Sequence, residues 1–158
     1  MTLPTKTAES HTDVETYFRI GRTYFLSADY ARARSFFMEV ARTGSALGHL
    51  YLGHVASAEG DVAGALRYYD AALRLDPECD TAHECSATLL LHHGRPRQAL
   101  EPFRAALEAG RNSLELHCNY VSALLQCGDL GEARSAWLEA QDVHPGRPEL
   151  VELSCRLT

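Results

Sequence analysis

The sequence is poor in the residues that interrupt helices. Only 6 of its 158 residues are proline and 11 are glycine, which disfavours a sandwich or barrel with many tight turns. It has no apolar run of about 18 to 20 residues, the length that a transmembrane helix requires. Basic residues number 15 against 21 acidic ones, and no run of like charge stands out, which argues against a nucleic-acid-binding surface. We therefore expect a soluble globular chain dominated by helix.

The N-terminal segment and the cysteines both bear on the cellular compartment. The first residues carry no apolar core of signal-peptide length, so we expect no export signal, no direct membrane insertion and a flexible lead-in over residues 1–11. The cysteines are odd in number and form no CxxC pair, which is typical of free thiols in a reducing compartment. We predict a cytoplasmic protein whose thiols lie at Cys79, Cys85, Cys118, Cys127 and Cys155.

An internal repeat of 34 residues organises most of the chain. Gly60, Gly94 and Gly128 lie 34 residues apart, and alanines recur at the same period in the segments that follow them. Three of these segments align without a gap: GDVAGALRYYDAAL, GRPRQALEPFRAAL and GDLGEARSAWLEAQ. The segment ADYARARSFFMEV is an earlier copy of the same pattern. Four copies of one pattern predict a repeat architecture.

Each copy predicts two helices joined by a tight turn. Glycine at positions 60, 94 and 128 allows the positive φ of such a turn. Asp61 and Asp129 follow two of these glycines and are suited to cap the next helix. Alanines at the recurrent positions allow close helix packing, and we expect Tyr69, Phe103 and Trp137 to pack into the neighbouring layer.

These residues resemble the tetratricopeptide repeat (TPR) family. The second repeat matches the family pattern best. In the third and fourth repeats, Ala87 and Val121 occupy the position of the small residue. In the third repeat, Arg111 occupies the position of the closing proline. The matching residues of the second repeat are Gly53, Gly60, Ala65, Tyr69, Ala72 and Pro77.

The resemblance implies an all-α fold, a right-handed α-solenoid with four helix-turn-helix repeats. The repeat domain would span residues 12–145, with repeats at about 14–45, 46–79, 80–113 and 114–145. Pro102 lies inside a predicted helix and is expected to bend it locally. Residues 146–158 predict a capping helix that covers the last apolar face, with Leu150, Val151, Leu153 and Leu157 available to pack.

In the resembled family, the first helix of each repeat lines a concave groove that holds a peptide or helix of a partner. Arg19 and Arg22 would attract an acidic segment, and aromatic side chains are common binding anchors. Phe18 and Phe25 have an alternative role as packing residues of the first repeat. The groove positions carried over from the family are Phe18, Arg19, Arg22, Phe25, Leu50, Tyr51, His54, Glu84, Thr88, Leu91, His92, Cys118, Asn119, Ser122 and Leu125.

The histidines and thiols give no metal or catalytic prediction. His49, His83 and His117 recur at the repeat period, but packed helices are separated by about 8 to 10 Å, too far for ligands of one metal ion. Cys79 and His83 have an i, i+4 spacing without a second ligand pair. No nucleophile elbow or phosphate-binding loop accompanies the thiols. We therefore predict no metal, no cofactor and no catalytic residue.

The sequence favours a non-catalytic adaptor that binds another protein. Two alternatives within the interaction class are a small secretion chaperone, resembling the TPR chaperones of type III secretion, and an accessory assembly subunit of a larger complex. A thiol or zinc enzyme is the alternative from a different class. Self-association through the convex face or an array end leaves the oligomeric state open.

Overall fold

The structure is a computed structural model that describes residues 7–157, with side chains from residue 13 onward. The described residues form nine helices and no strand. In chain order they are α1 (Thr7–Leu26), α2 (Tyr30–Arg42), α3 (Ala46–Ala58), α4 (Val62–Leu75), α5 (Asp80–His92), α6 (Pro96–Glu108), α7 (Leu114–Cys127), α8 (Leu130–Val143) and α9 (Pro148–Ser154).

The helices form four hairpins, one at each predicted repeat, although α1 begins at Thr7, before the expected start of the first repeat at about 14. Helix α1 begins at Thr7, inside the segment 1–11 that we predicted as a lead-in. Residues 1–6 lie outside the described part, and the flexible character of the lead-in stays a prediction. The chain divides into two compact units, Met1–Pro77 and Glu78–Thr158. Each unit is described by itself below.

The first unit is held together by close approach of helices at three glycines. Gly21 of α1 faces the ring of Phe37, and Gly53 of α3 faces the ring of Tyr69. Gly48 lies against the backbone of α2 at Ala41. The core of this unit includes a cluster of the buried side chains of Ala33, Phe37, Leu52 and Val55. The small residue and the aromatic residue of each repeat therefore form a matched pair, because the missing side chain makes room for the ring.

In the second unit, larger residues occupy the positions of those glycines. Ala87 and Val121 are fully buried, as is Phe103, whose ring lies 6.2 Å from that of Tyr120 between centroids. Trp137 is only half-buried. Dispersion contacts at native packing density hold these helices together.

The turns within the hairpins follow the sequence prediction. Gly60, Gly94 and Gly128 have φ values of 80°, 69° and 82°, in the left-handed region that glycine adopts without strain. Asp61 caps α4, because its carboxylate accepts a hydrogen bond of 2.9 Å from the backbone N–H of Gly64. Asp129 occupies the corresponding position before α8, but its side chain makes no capping hydrogen bond.

Helix α6 continues through Pro102. It begins at Pro96, where a missing N–H costs nothing, and extends to Glu108 with Pro102 in its interior. A proline there removes one backbone hydrogen bond. The burial of Phe103 and Ala106 on the core side of α6 offsets that loss.

Helix α9 packs against α7 and α8, where the sequence predicted a cap. Leu150, Leu153 and Leu157 are buried, whereas Val151 is 55% exposed and does not pack as we expected. The indole N–H of Trp137 donates a hydrogen bond of 2.7 Å to the carbonyl of Leu150. This bond fixes the start of the cap to α8.

Candidate partner-binding site

A cluster of aromatic rings joins α1 to α3 in the first unit. The rings of Phe18 and Tyr51 meet edge to face with centroids 4.8 Å apart. Both rings also approach the buried Phe37, at 6.0 Å and 5.0 Å. Such contacts restrain the rings, so the cluster presents a preformed surface. Phe18 packs within the first unit, as one of the two roles left open by the sequence requires, and its role in binding stays a prediction.

His54 extends this aromatic surface without adding charge. Its ring lies 5.1 Å from the ring of Tyr51 and 6.5 Å from that of Phe25. Its Nδ1 atom is 3.2 Å from the hydroxyl oxygen of Tyr69, a hydrogen-bonding distance. Burial lowers the pKa of His54 below its ordinary value of 6.5. The imidazole is therefore neutral at pH 7.

Two arginines give one end of this surface a positive charge. The guanidinium carbon of Arg22 lies 5.9 Å from the centroid of the Phe18 ring, within the range of a cation–π contact. Within the described part of the chain, neither Arg19 nor Arg22 forms an ion pair. Helix α3 on the opposite side contains no charged residue. An anionic group that approaches these arginines therefore displaces no ion-pair partner among residues 13–157.

Two cavities open on this face, and they share Arg22 and Leu26. The first has a volume of about 430 Å³ and lies between α1 and α3. The second has a volume of about 700 Å³ and lies along α1. Both volumes fall in the range of ligand sites. The first cavity is lined by Arg22, Phe25, Leu26, Tyr51, His54, Ser57 and Ala58. The second is lined by Glu15, Thr16, Phe18, Arg19, Arg22, Thr23 and Leu26.

Leu26 is a residue of this site that the sequence reasoning missed. It is 80% exposed, although it is a large apolar side chain. It follows Arg22 by four residues on α1 and therefore shares a helix face with it. That spacing was the signal that could have identified it.

Two of the predicted groove residues are buried. Leu50 is 5% exposed and Leu91 is 8% exposed, so each offers little side-chain surface to a ligand. Tyr51 and His54, by contrast, are half-buried and line the first cavity. The structure thus brings Phe18, Arg19, Arg22, Phe25, Tyr51 and His54 together on the α1–α3 face.

Glu84 in the second unit has structural partners. Its Oε2 atom lies 2.5 Å from Nε of Arg111, and its Oε1 atom accepts a hydrogen bond of 3.1 Å from the hydroxyl of Ser113. The side chain is only 14% exposed. Arg111 stands where the family has its closing proline, so this ion pair joins α5 to the segment that precedes α7. The other candidates of this unit are exposed or half-buried on α5 and α7, namely Thr88, His92, Cys118, Asn119, Ser122 and Leu125.

The thiols and histidines are dispersed in the described part of the chain. Cys79, Cys118 and Cys127 are free thiols, and residues 13–157 contain no group of three or more side chains that could hold a metal ion. Burial raises the pKa of the Cys118 thiol, which disfavours the thiolate that a nucleophile requires. His117 is buried with its ring 5.4 Å from that of His144. Burial and the nearby His144 lower the pKa of His117.

Helical hairpins with a 34-residue period and a small-residue–aromatic pair define a class of repeat protein that binds other proteins. Sequence profiles described as tetratricopeptide repeat match residues 14–42, 50–113 and 86–148. The chain belongs to the tetratricopeptide repeat family, and its all-α TPR fold is as the sequence predicted. This family typically provides non-catalytic interaction scaffolds. None of the helices in the described part combines the length and apolarity required to cross a bilayer.

Several solved structures share this fold. MamA 41-end from Desulfovibrio magneticus RS-1 superposes with a TM-score of 0.79 at 19% identity, over 91% of this chain and 83% of that one. YrrB, described as a TPR protein with an unusual peptide-binding site, superposes with a TM-score of 0.72 at 20% identity, over 94% of this chain and 76% of that one. Another MamA structure superposes with a TM-score of 0.73 at 17% identity, over 85% of this chain and 75% of that one. No curated protein sequence matches the chain. At these identities the likeness concerns the fold alone.

Proposed function

We propose that this chain is a non-catalytic adaptor whose first two repeats bind a peptide segment or helix of a partner protein between α1 and α3. The observation that carries this proposal is the α1–α3 face itself. There a restrained aromatic cluster adjoins a cavity of about 430 Å³ and two arginines that form no ion pair within the described residues. Membership of the TPR family and the peptide-binding site for which YrrB is described both support it.

The chemistry of this face suits a protein ligand. Hot spots of protein interfaces are enriched in tyrosine, tryptophan and arginine. Aromatic rings bury a large area at a low entropic cost, and arginine contributes charge-assisted hydrogen bonds. The exposed Leu26 adds apolar surface at the rim of both cavities. The cytoplasm remains our prediction for the compartment, supported by the free thiols of Cys79, Cys118 and Cys127.

Comparative affinity purification from the native organism tests the proposal. The bait is the full chain as wild type, as Arg22→Glu, as Leu26→Asp and as Arg67→Glu. Arg22 and Leu26 are exposed, so substituting them should preserve the fold. Arg67 is an exposed arginine of α4 that lines neither cavity and provides the matched control.

We expect one partner to be recovered with wild type and Arg67→Glu and lost with the other two variants. Circular dichroism should show equal helix content in all four proteins. A partner retained equally by Arg22→Glu and Leu26→Asp would place binding elsewhere on the molecule and refute the proposal.

A further inference from the structure

We infer that the segment bound by the first two repeats is acidic and amphipathic: it presents a carboxylate to Arg22 and a neighbouring large apolar side chain to the cavity between α1 and α3. The inference rests on the proposed function and specifies the chemistry of the partner. Three properties of the face carry it: the positive charge of its arginines, the apolar lining of the cavity between α1 and α3, and the presence of Arg22 in the lining of both cavities.

The charge of the site selects an anion. Among the side chains that line the two cavities, Arg19 and Arg22 are positive and Glu15 is negative, and His54 is neutral because burial lowers its pKa. Neither arginine forms an ion pair with a described residue. A carboxylate that reaches them therefore gains charge-assisted hydrogen bonds without breaking an ion pair to any residue whose side chain the structure describes.

Arg22 is placed where it can receive such a group. Its guanidinium carbon lies 5.9 Å from the centroid of the Phe18 ring, at the outer range of a cation–π contact. The guanidinium carries N–H donors in a planar fork, and this fork matches the two oxygens of a carboxylate. Lysine could not reproduce this geometry, because its ammonium group is a point charge.

The adjoining cavity selects an apolar side chain. Phe25, Tyr51 and the neutral His54 provide its aromatic lining, and Leu26 provides an apolar rim. Filling it with a leucine, methionine or phenylalanine side chain would bury apolar surface on both partners. Arg22 lines this cavity as well as the second one, so the carboxylate and the apolar side chain must be close in the bound segment.

Selection from a random linear peptide library displayed on phage tests this chemistry without knowledge of the partner. The full chain is the bait, and binders that also recognise the Arg22→Glu variant are removed. We expect the remaining peptides to carry aspartate or glutamate beside a large apolar residue. A synthetic peptide of that sequence should bind about tenfold more weakly to Arg22→Gln. Its affinity for Arg67→Gln, the matched control, should equal that for wild type.

The outcomes separate this inference from the proposed function. Peptides without an acidic residue whose binding is lost with Leu26→Asp would overturn the inference and leave the binding face in place. If the peptides enriched before the removal step all bind Arg22→Glu and Leu26→Asp as well as wild type, so that none remains, or if no peptide is enriched, both are overturned. Sedimentation equilibrium adds a further check. Self-association of the wild type that is lost with Arg22→Glu would assign the face to a second copy of the chain and overturn the inference.

Discussion

Replacement of Gly48 by alanine tests the packing of the first unit most directly. A Cβ atom built on Gly48 would lie 2.7 Å from the Cα of Ala41 and 2.9 Å from the carbonyl carbon of Val40. Real Cβ atoms essentially never approach other heavy atoms this closely. Both neighbours are backbone atoms of α2, so no side-chain rotation relieves the overlap, and α3 must move away from α2.

The expected loss follows from two opposed effects. Overpacking of this kind costs about 3 kcal/mol at the upper end of the usual range. Alanine recovers up to about 1 kcal/mol of helix propensity relative to glycine. The net change in the free energy of unfolding is therefore a loss of about 2 kcal/mol. For a chain of this size the loss corresponds to a fall in Tm of about 4 to 8 °C.

Urea denaturation followed by circular dichroism measures the effect, with Gly131→Ala as the matched control. Gly131 is also helical, but a Cβ built on it meets no heavy atom within 4 Å. We expect Gly131→Ala to be neutral or to gain up to about 1 kcal/mol. If Gly48→Ala proved as stable as Gly131→Ala, the close approach of α2 and α3 would be refuted.

Three further predictions concern the second unit. Arg111→Ala should lower the free energy of unfolding in urea by about 1 to 3 kcal/mol, because it leaves the mostly buried Glu84 carboxylate without its ion pair. Acidification should lower stability as the pH falls below 6.5, the ordinary pKa of histidine. In this pH range His117 of the unfolded chain binds a proton. His117 of the folded chain does not, because its pKa is lowered. The decline should continue until the pH passes below that lowered pKa, and urea midpoints between pH 7.5 and 5.5 measure it. Trp137→Phe should cost about 1 kcal/mol through the lost hydrogen bond to Leu150, measured as a lower Tm.

Each of these has its own control. Arg42→Ala removes an exposed i, i+3 ion pair with Glu39 and should change stability by less than about 1 kcal/mol; an equal loss in the two arginine variants would contradict the role of Arg111. The variant His117→Leu should show a shallower pH dependence than wild type, and identical slopes would contradict the histidine assignment. Trp137→Phe with unchanged Tm would mean that the indole N–H does not hold α9.

The repeat architecture could be predicted from the sequence because its determinants are local. A glycine with positive φ, such as Gly60, fixes the turn through its own backbone, and the Gly53–Tyr69 pair recurs at a spacing set by one hairpin. Asp129 shows the limit of that reasoning. Its type and position suit a cap, and its backbone angles resemble those of Asp61, but its side chain makes no capping hydrogen bond. A suitable residue type at the right position therefore does not by itself determine whether the bond forms.

The candidate site was only partly predictable, since its members depend on contacts between repeats. Helical spacing on α1 was sufficient to group Phe18, Arg22 and Phe25. Helical spacing does not predict that Leu50 is buried or that Glu84 forms an ion pair. The partner of Glu84 lies 27 positions later, at Arg111, and replaces a proline rather than matching a pattern. Where an ion pair takes the place of a proline, the sequence shows only that the periodic proline is missing. It gives no periodic signal of the residue that forms the new contact.

The Arg111–Glu84 pair makes one junction of the chain sensitive to salt. A proline ring restrains its backbone equally at any ionic strength, whereas an ion pair that is partly open to solvent weakens as the Debye length shrinks from about 8 Å to about 3 Å. The segment between α6 and α7 should therefore loosen in concentrated salt, while the segment after α4, which contains Pro77, keeps its rigid ring. Within the second unit, ionic strength thus becomes a means of adjusting how firmly the fourth repeat is attached to the third.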